Sequence, residues 1–487
     1  MNIMSYTVAQ NTSFLTISSV MQKIISFAYF TLIARFIGVE NTGQYFFAIT
    51  FTTIFVVLAD FGLAPVLTRE AARYPENSEK YVNTVLWSKF FFGLAAYVLV
   101  AAIVNIAGYP ADTKLLVYLS GVTMFFDNMH SAFYSIFRAR KNLRYEAYGI
   151  TASQFITLVI GTVALFKHWP LVSLIAAYTI PSILNTIYAA YFARKVYGLR
   201  YKLAWDKQIF GLFFRMAVPF ALAGFIGRLY AYSDSLIMSK ILSREALGLW
   251  SVPYKITFAF QFIATALVAS VYPVFSSLYI QDKAKISELF EKSWKYLFII
   301  VFPLSFGIMA IAEPTIVSLF GESYRASVWP LRILLASLIF GYLSFITGAL
   351  LNAVNRQRIQ TTLIGAALGV NVALNLIFLQ RYGIIAAAAA ALLSNIILCV
   401  GGYIFVSRSI ALRHSSIVAS LNRTFWPGAI MGIASYLLTF KLHFILVIPI
   451  AAALYAALLF ATGGMSVEMA RIALQKAGIM SGLKGRI

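Results

Sequence analysis

The sequence predicts an all-α integral membrane protein of about fourteen transmembrane helices, in two six-helix lobes related by a pseudo-two-fold axis along the membrane normal, plus two C-terminal helices. Three observations carry this. Of the 487 residues, 61% are hydrophobic and 11% charged, whereas soluble domains carry roughly 25% charged residues. Apolar stretches near the bilayer-spanning length of about 20 residues recur from end to end, as at Phe90–Ala107, Gly383–Val406 and Leu442–Thr462. A segment in the first half also recurs 205 residues later.

The spans are read in order at 11–38, 43–66, 83–107, 115–137, 148–166, 171–193, 210–242, 247–277, 296–320, 331–353, 360–379, 383–406, 424–440 and 442–463. The start, Met1–Ser13, is polar, and no removable signal peptide is expected. With the N-terminus placed in the cytoplasm, 25 Lys and Arg fall in cytoplasmic segments and 9 on the opposite side. Cytoplasmic loops are enriched in Lys and Arg, so a multi-pass protein of the cell (inner or plasma) membrane with both termini in the cytoplasm is expected. The same topology accounts for the net charge of +22 without nucleic acid, because the cations are dispersed over many short loops.

The repeat lays Leu32–Tyr45 on Ile237–Trp250, setting Arg35 on Lys240, Glu40 on Glu245, Gly43 on Gly248 and Tyr45 on Trp250. A second match sets Arg138–Lys141 on Val354–Gln357. Charged residues and glycines match as well as apolar ones, which argues against chance. The expected organisation is 1–205 for the N-terminal lobe, 206–415 for the C-terminal lobe, and 416–487 for spans 13 and 14 with a cytoplasmic tail. Duplicated lobes suit a transporter with its site between them.

Five cations fall inside predicted spans: Lys23, Lys89, Arg215, Arg228 and Lys255. A charge at the bilayer centre costs at least about 2.5–3.5 kcal/mol, so each needs a wet cavity or a partner. Lys23, Arg228 and Lys255 lie deep in spans 1, 7 and 8 and are the candidate substrate-binding residues. Lys89 and Arg215 lie near cytoplasmic span ends and are expected to snorkel to the headgroups. The acids Asp60, Asp127 and Asp234 are candidates for salt-bridge partners or coupling-ion ligands. Asp127 and His130, three apart, lack a third ligand and read as cavity-lining polar residues rather than a metal site. The cation excess suggests an anionic group such as a diphosphate, which Arg grips through its fork and Lys as a point charge.

No nucleotide-binding loop, zinc-protease helix or serine elbow is found, and no cofactor is expected. Cys399, the single cysteine, reads as a small buried side chain. Gly365-Ala-Ala-Leu-Gly369 reads as an internal helix-packing pattern.

The run Leu32-Ile-Ala-Arg-Phe-Ile-Gly38, then Gly43-Gln-Tyr-Phe-Phe-Ala48, Leu58-Ala-Asp-Phe-Gly-Leu63 and Arg69-Glu-Ala-Ala-Arg73, resembles the N-terminal lobe of the lipid-linked oligosaccharide flippases. These belong to the multidrug/oligosaccharidyl-lipid/polysaccharide exporter superfamily. Gly248-Leu-Trp-Ser-Val-Pro-Tyr-Lys255 and Tyr272-Pro-Val-Phe-Ser-Ser277 resemble its second lobe. The resemblance implies a flippase that moves an undecaprenyl-diphosphate-linked oligosaccharide to the outer leaflet by alternating access, for O-antigen-like surface polysaccharide. It implies membrane lipids, a polysaccharide polymerase and a ligase as partners. Lys23 falls close to a basic position of span 1 in the related peptidoglycan-precursor flippases, and the two extra spans are similar to that fourteen-helix branch. That branch is one alternative; a drug/cation antiporter, which should prefer an acid-lined cavity, is the other. An enzyme reading fares poorly, since the longest extracytoplasmic loop is about ten residues.

Overall fold

The computed structural model describes residues 8–202 and 204–465; the expected cytoplasmic tail lies outside the described residues. Its helices fall into two compact units, residues 1–251 and 252–487. The sequence repeat divides at 205/206, so α7 (Lys207–Ile241) and the first turns of α8 (Arg244–Gln281) pack with the N-terminal helices.

The first unit begins with α1 (Val8–Asp60), which holds two spans. Gly38, at φ 78° and ψ 171°, breaks it between them, a conformation that glycine adopts without the penalty of a Cβ. The second span ends at Asp60 rather than 66, because Phe61 and Gly62 both take positive φ (48° and 71°). The chain then turns into α2 (Leu63–Arg73), whose buried face is Leu63, Val66, Leu67 and Ala71. Four long helices follow: α3 (Ser78–Ile106), α4 (Ala111–Ala139), α5 (Arg144–Phe166) and α6 (Val172–Tyr197). At 1.5 Å per residue these reach about 35–43 Å, enough to cross a hydrocarbon core of about 30 Å. Asp206 caps α7 by accepting from the amides of Gln208 and Ile209. Phe213 and Ala217 of α7 then join Leu67, Ala132, Phe137 and Ala193 in one buried cluster, which ties α7 to this unit.

The second unit contains the rest of α8, then α9 (Lys283–Ala310), α10 (Ala312–Phe320), α11 (Val328–Ala353), α12 (Gln357–Tyr382), α13 (Ile384–Ser407), α14 (His414–Leu438) and α15 (Phe444–Ala461). The expected span 296–320 is two helices that break at Ile311. Gly428 and Gly432 of α14 let that helix lie against Phe302 and Phe306 of α9, where an added Cβ would come within 2.9 Å of the Cβ of each. Tyr455 of α15 donates to the Ile299 carbonyl at 3.0 Å, fixing the last helix on the same support. Gly365 and Gly369 do not form the expected packing seam, since a Cβ at either would meet open space.

Eleven helices among the described residues are long and apolar enough to cross a membrane. Counting α1 twice and adding α4 and α14, which are long but more polar, gives fourteen spans. Their polarity has a use: α4 carries Asp127, Asn128 and His130.

Candidate functional site

Lys23 and Arg228 both belong to the first unit, where α1 packs along α7. They are half-buried and close enough for their charges to repel. Both cations lie at membrane depth, where a charge is costly unless it faces water or a group of opposite sign. Lys255 is half-buried on α8 in the second unit, and Asp234 is buried on α7 in the first.

Lys89 does not snorkel. It is wholly buried, and its Nζ lies 2.5 Å from Asp60 Oδ1. Its Nζ also donates to Asn128 O and Oδ1 at 3.2 Å and to Ser131 Oγ at 2.5 Å. Asn128 in turn donates to the Ala59 carbonyl at 2.8 Å. The reason is direction: α3 turns this residue toward α1 and α4, so the ammonium meets acceptors inside the bundle before it could reach headgroups. Arg215, by contrast, is exposed.

Asp127 lies on the opposite seam of α4, against α6. Its Oδ1 accepts from Ser182 Oγ at 2.5 Å and stands 3.8 Å from His130 Nδ1. Thr123 pairs with Thr179 at 2.7 Å on one side, and Tyr134 donates to Asn185 at 2.7 Å on the other. Gly149 of α5 leaves the room that Tyr134 occupies. Among the described residues no three His, Cys, Asp or Glu side chains gather to hold a metal.

Several site-forming contacts had no signal of their own in the sequence. Arg138, one residue past the expected span 115–137, forks onto Glu146, whose side chain is only 1% exposed. Arg244 grips Asp112 through two bonds of 2.8 and 3.0 Å, with Glu40 at 4.0 Å. Tyr109 pairs with Ser239 at 2.7 Å, and the Lys240 ammonium sits 3.5 Å from the Tyr109 ring centroid. Between these contacts α1 crosses the start of α8 at Gly43 and Gly248. A Cβ on Gly43 would run into the Arg244 carbonyl and lie 2.7 Å from Gly248 N, and a Cβ on Gly248 would run into the Val39 carbonyl. The contact is reciprocal at the repeat offset: 43 meets 244, and 248 meets 39.

A cleft of about 260 Å³ beside Trp87, Phe90, Met129 and Lys202 is apolar, and its one cation is ion-paired with Glu79 at 3.6 Å. Asn83 and Tyr201 are its other polar lining residues.

A family model described as "Polysaccharide biosynthesis protein" matches residues 8–279. The capsular polysaccharide biosynthesis protein CapF of Staphylococcus aureus is 20% identical, over 82% of this chain and 99% of that protein. The succinoglycan biosynthesis transport protein ExoT of Rhizobium meliloti is 23% identical, over 68% and 66%. Among solved structures, the lipid II flippase MurJ in an inward closed conformation superposes with a TM-score of 0.75 at 17% identity, covering 91% of this chain and 97% of that one. An inward-facing multidrug resistance transporter of the MATE family gives a TM-score of 0.66 at 14% identity, covering 80% and 95%. These likenesses show a shared fold.

Proposed function

Because this chain belongs to the polysaccharide biosynthesis protein family, we propose that it is a flippase, carrying a polyprenyl-diphosphate-linked oligosaccharide from the cytoplasmic to the outer leaflet by alternating access. The observation that carries the reading is the pair of half-buried cations, Lys23 and Arg228, on the neighbouring helices α1 and α7 at membrane depth. A diphosphate suits such a pair: it brings two or more negative charges, which Arg grips through its fork and Lys as a point charge. Lys255 is the third candidate for this role.

In this cycle the protein sits in the cell (inner or plasma) membrane with both termini on the cytoplasmic side, the diphosphate docks on the cations, and the polyprenyl chain stays in lipid. An inside-negative potential then favours outward passage by about 2.3 kcal/mol per charge per 100 mV. The α1–α8 crossing, with Arg244 on Asp112, falls on the extracytoplasmic side in this orientation. Such a contact would hold that side shut while substrate loads. The product feeds surface polysaccharide assembly, with a polymerase and a ligase as downstream partners.

The test is transbilayer movement of a fluorescent lipid-diphosphate oligosaccharide in proteoliposomes. Wild type should move the lipid, and Lys23→Ala and Arg228→Ala should slow it at least tenfold despite normal insertion, with Lys255→Ala compared alongside. Wild-type protein that leaves the lipid in place while exchanging cationic drugs for Na⁺ or H⁺ would overturn the reading.

A further inference from the structure

Asp127 stands about 24 Å from the start of α4 and about 18 Å from its end at 1.5 Å per residue, well inside the bilayer. Asp60, at similar depth, has Lys89 against it, and the buried Glu146 has Arg138. Asp127 is different. Its partners are the neutral hydroxyl of Ser182 and the imidazole of His130. No Lys or Arg nitrogen lies within ion-pair distance of it among the described residues. His130 Nδ1 is itself buried without a hydrogen-bond partner.

The surrounding charges do not substitute for a counter-ion. From α3 comes Lys89, committed to Asp60 of α1; from α4 itself Arg138, committed to Glu146 of α5. From α4 itself comes Tyr134, and beside it Tyr188 of α6, both phenols. Meanwhile the Asp127 side chain remains half exposed, so its carboxylate is reachable, while His130 behind it is largely covered. A carboxylate inside the bilayer without a cation beside it is disfavoured, and taking up a proton removes that penalty. A proton needs only the acceptor oxygen and a neighbouring base to pass it to, whereas a metal ion needs more ligands than are present.

We infer that Asp127, with His130 and Ser182, is a proton-carrying site, and that its loading and release are coupled to the movement of the lipid. In the loaded state the proton sits on an Asp127 oxygen; on release it passes by way of His130 or directly to water. The Lys23–Arg228 pair holds the substrate, and the α4–α6 seam holds the proton. The coupling rests on the flippase reading above, while the proton site itself does not.

Two measurements on the full-length protein separate these. The first is infrared titration of purified protein in lipid, following the carbonyl band of a protonated carboxyl. Wild type should show a band that titrates and that Asp127→Asn lacks, while Asp127→Glu shifts it. A wild-type spectrum identical to that of Asp127→Asn across the titration would overturn the site, whatever the lipid does. The second is the proteoliposome lipid assay under an imposed pH gradient. One unit should shift the wild-type leaflet ratio by about tenfold per coupled proton. Asp127→Asn should lose this response, its leaflet ratio the same with and without the gradient. If wild type equilibrates the lipid and ignores the pH gradient, or follows a Na⁺ gradient instead, coupling through this site is refuted. Wild type that moves no lipid refutes the flippase reading instead, and the infrared result stands on its own.

Discussion

Lys89 offers the sharpest test of how this membrane protein carries charge in its interior. Replacing it by methionine keeps the stem and removes the ammonium, with its 2.5 Å ion pair to Asp60 and its three bonds to Asn128 and Ser131. Asp60 is then left inside the bundle without its cation. Breaking one side of a buried pair costs about 3–5 kcal/mol, whereas replacing both partners by neutral groups is often close to neutral. The double variant Asp60→Asn, Lys89→Met should therefore recover most of the loss, giving a coupling energy of about 2–4 kcal/mol. Unfolding of wild type, both single variants and the double variant by SDS in mixed micelles, followed by circular dichroism, closes the cycle. The reasoning is refuted if Lys89→Met unfolds within about 1 kcal/mol of wild type, or if the two single losses simply add.

Two further predictions address the α1–α8 crossing. Gly43→Ala drives a methyl into the Arg244 carbonyl, an overpacking cost of about 1–3 kcal/mol against the gain of about 0.5–1 kcal/mol for alanine in a helix. Thermal unfolding in detergent should show it less stable than wild type, while Gly365→Ala, which meets open space, should gain; equal behaviour of the two would sink the argument. Arg244 holds the Asp112 carboxyl below the usual carboxylate range through its hydrogen bonds. Because the folded-state value is depressed, the contribution is complete above the ordinary carboxylate pKa and fades as pH falls through the depressed one. The stability difference between wild type and Arg244→Gln should thus be constant from pH 6 to 8 and shrink under strong acid. A difference that widens on acidification contradicts this.

By itself the sequence determined the solvent and the outline of the chain. A composition of 61% hydrophobic residues and a 20-residue rhythm leave only helices that satisfy their own backbone groups, so the number of spans followed from length and hydropathy. The 205-residue offset paired Gly43 with Gly248, and those glycines do meet in space. What the tertiary structure decided was the partner of each polar group. Hydropathy registers that Lys89 is a charge near a span end, but whether it turns out to headgroups or in to Asp60 depends on how α3 is rotated against α4. Gly365 and Gly369 share their spacing with Gly428 and Gly432, yet only the second pair has an aromatic helix, α9, lying against it. Asp127 and Asp60 look alike in sequence, and one faces an ammonium while the other faces a hydroxyl and an imidazole. Helix formation is local and is written in each segment, whereas rotation and neighbour are settled by packing among segments far apart in the chain.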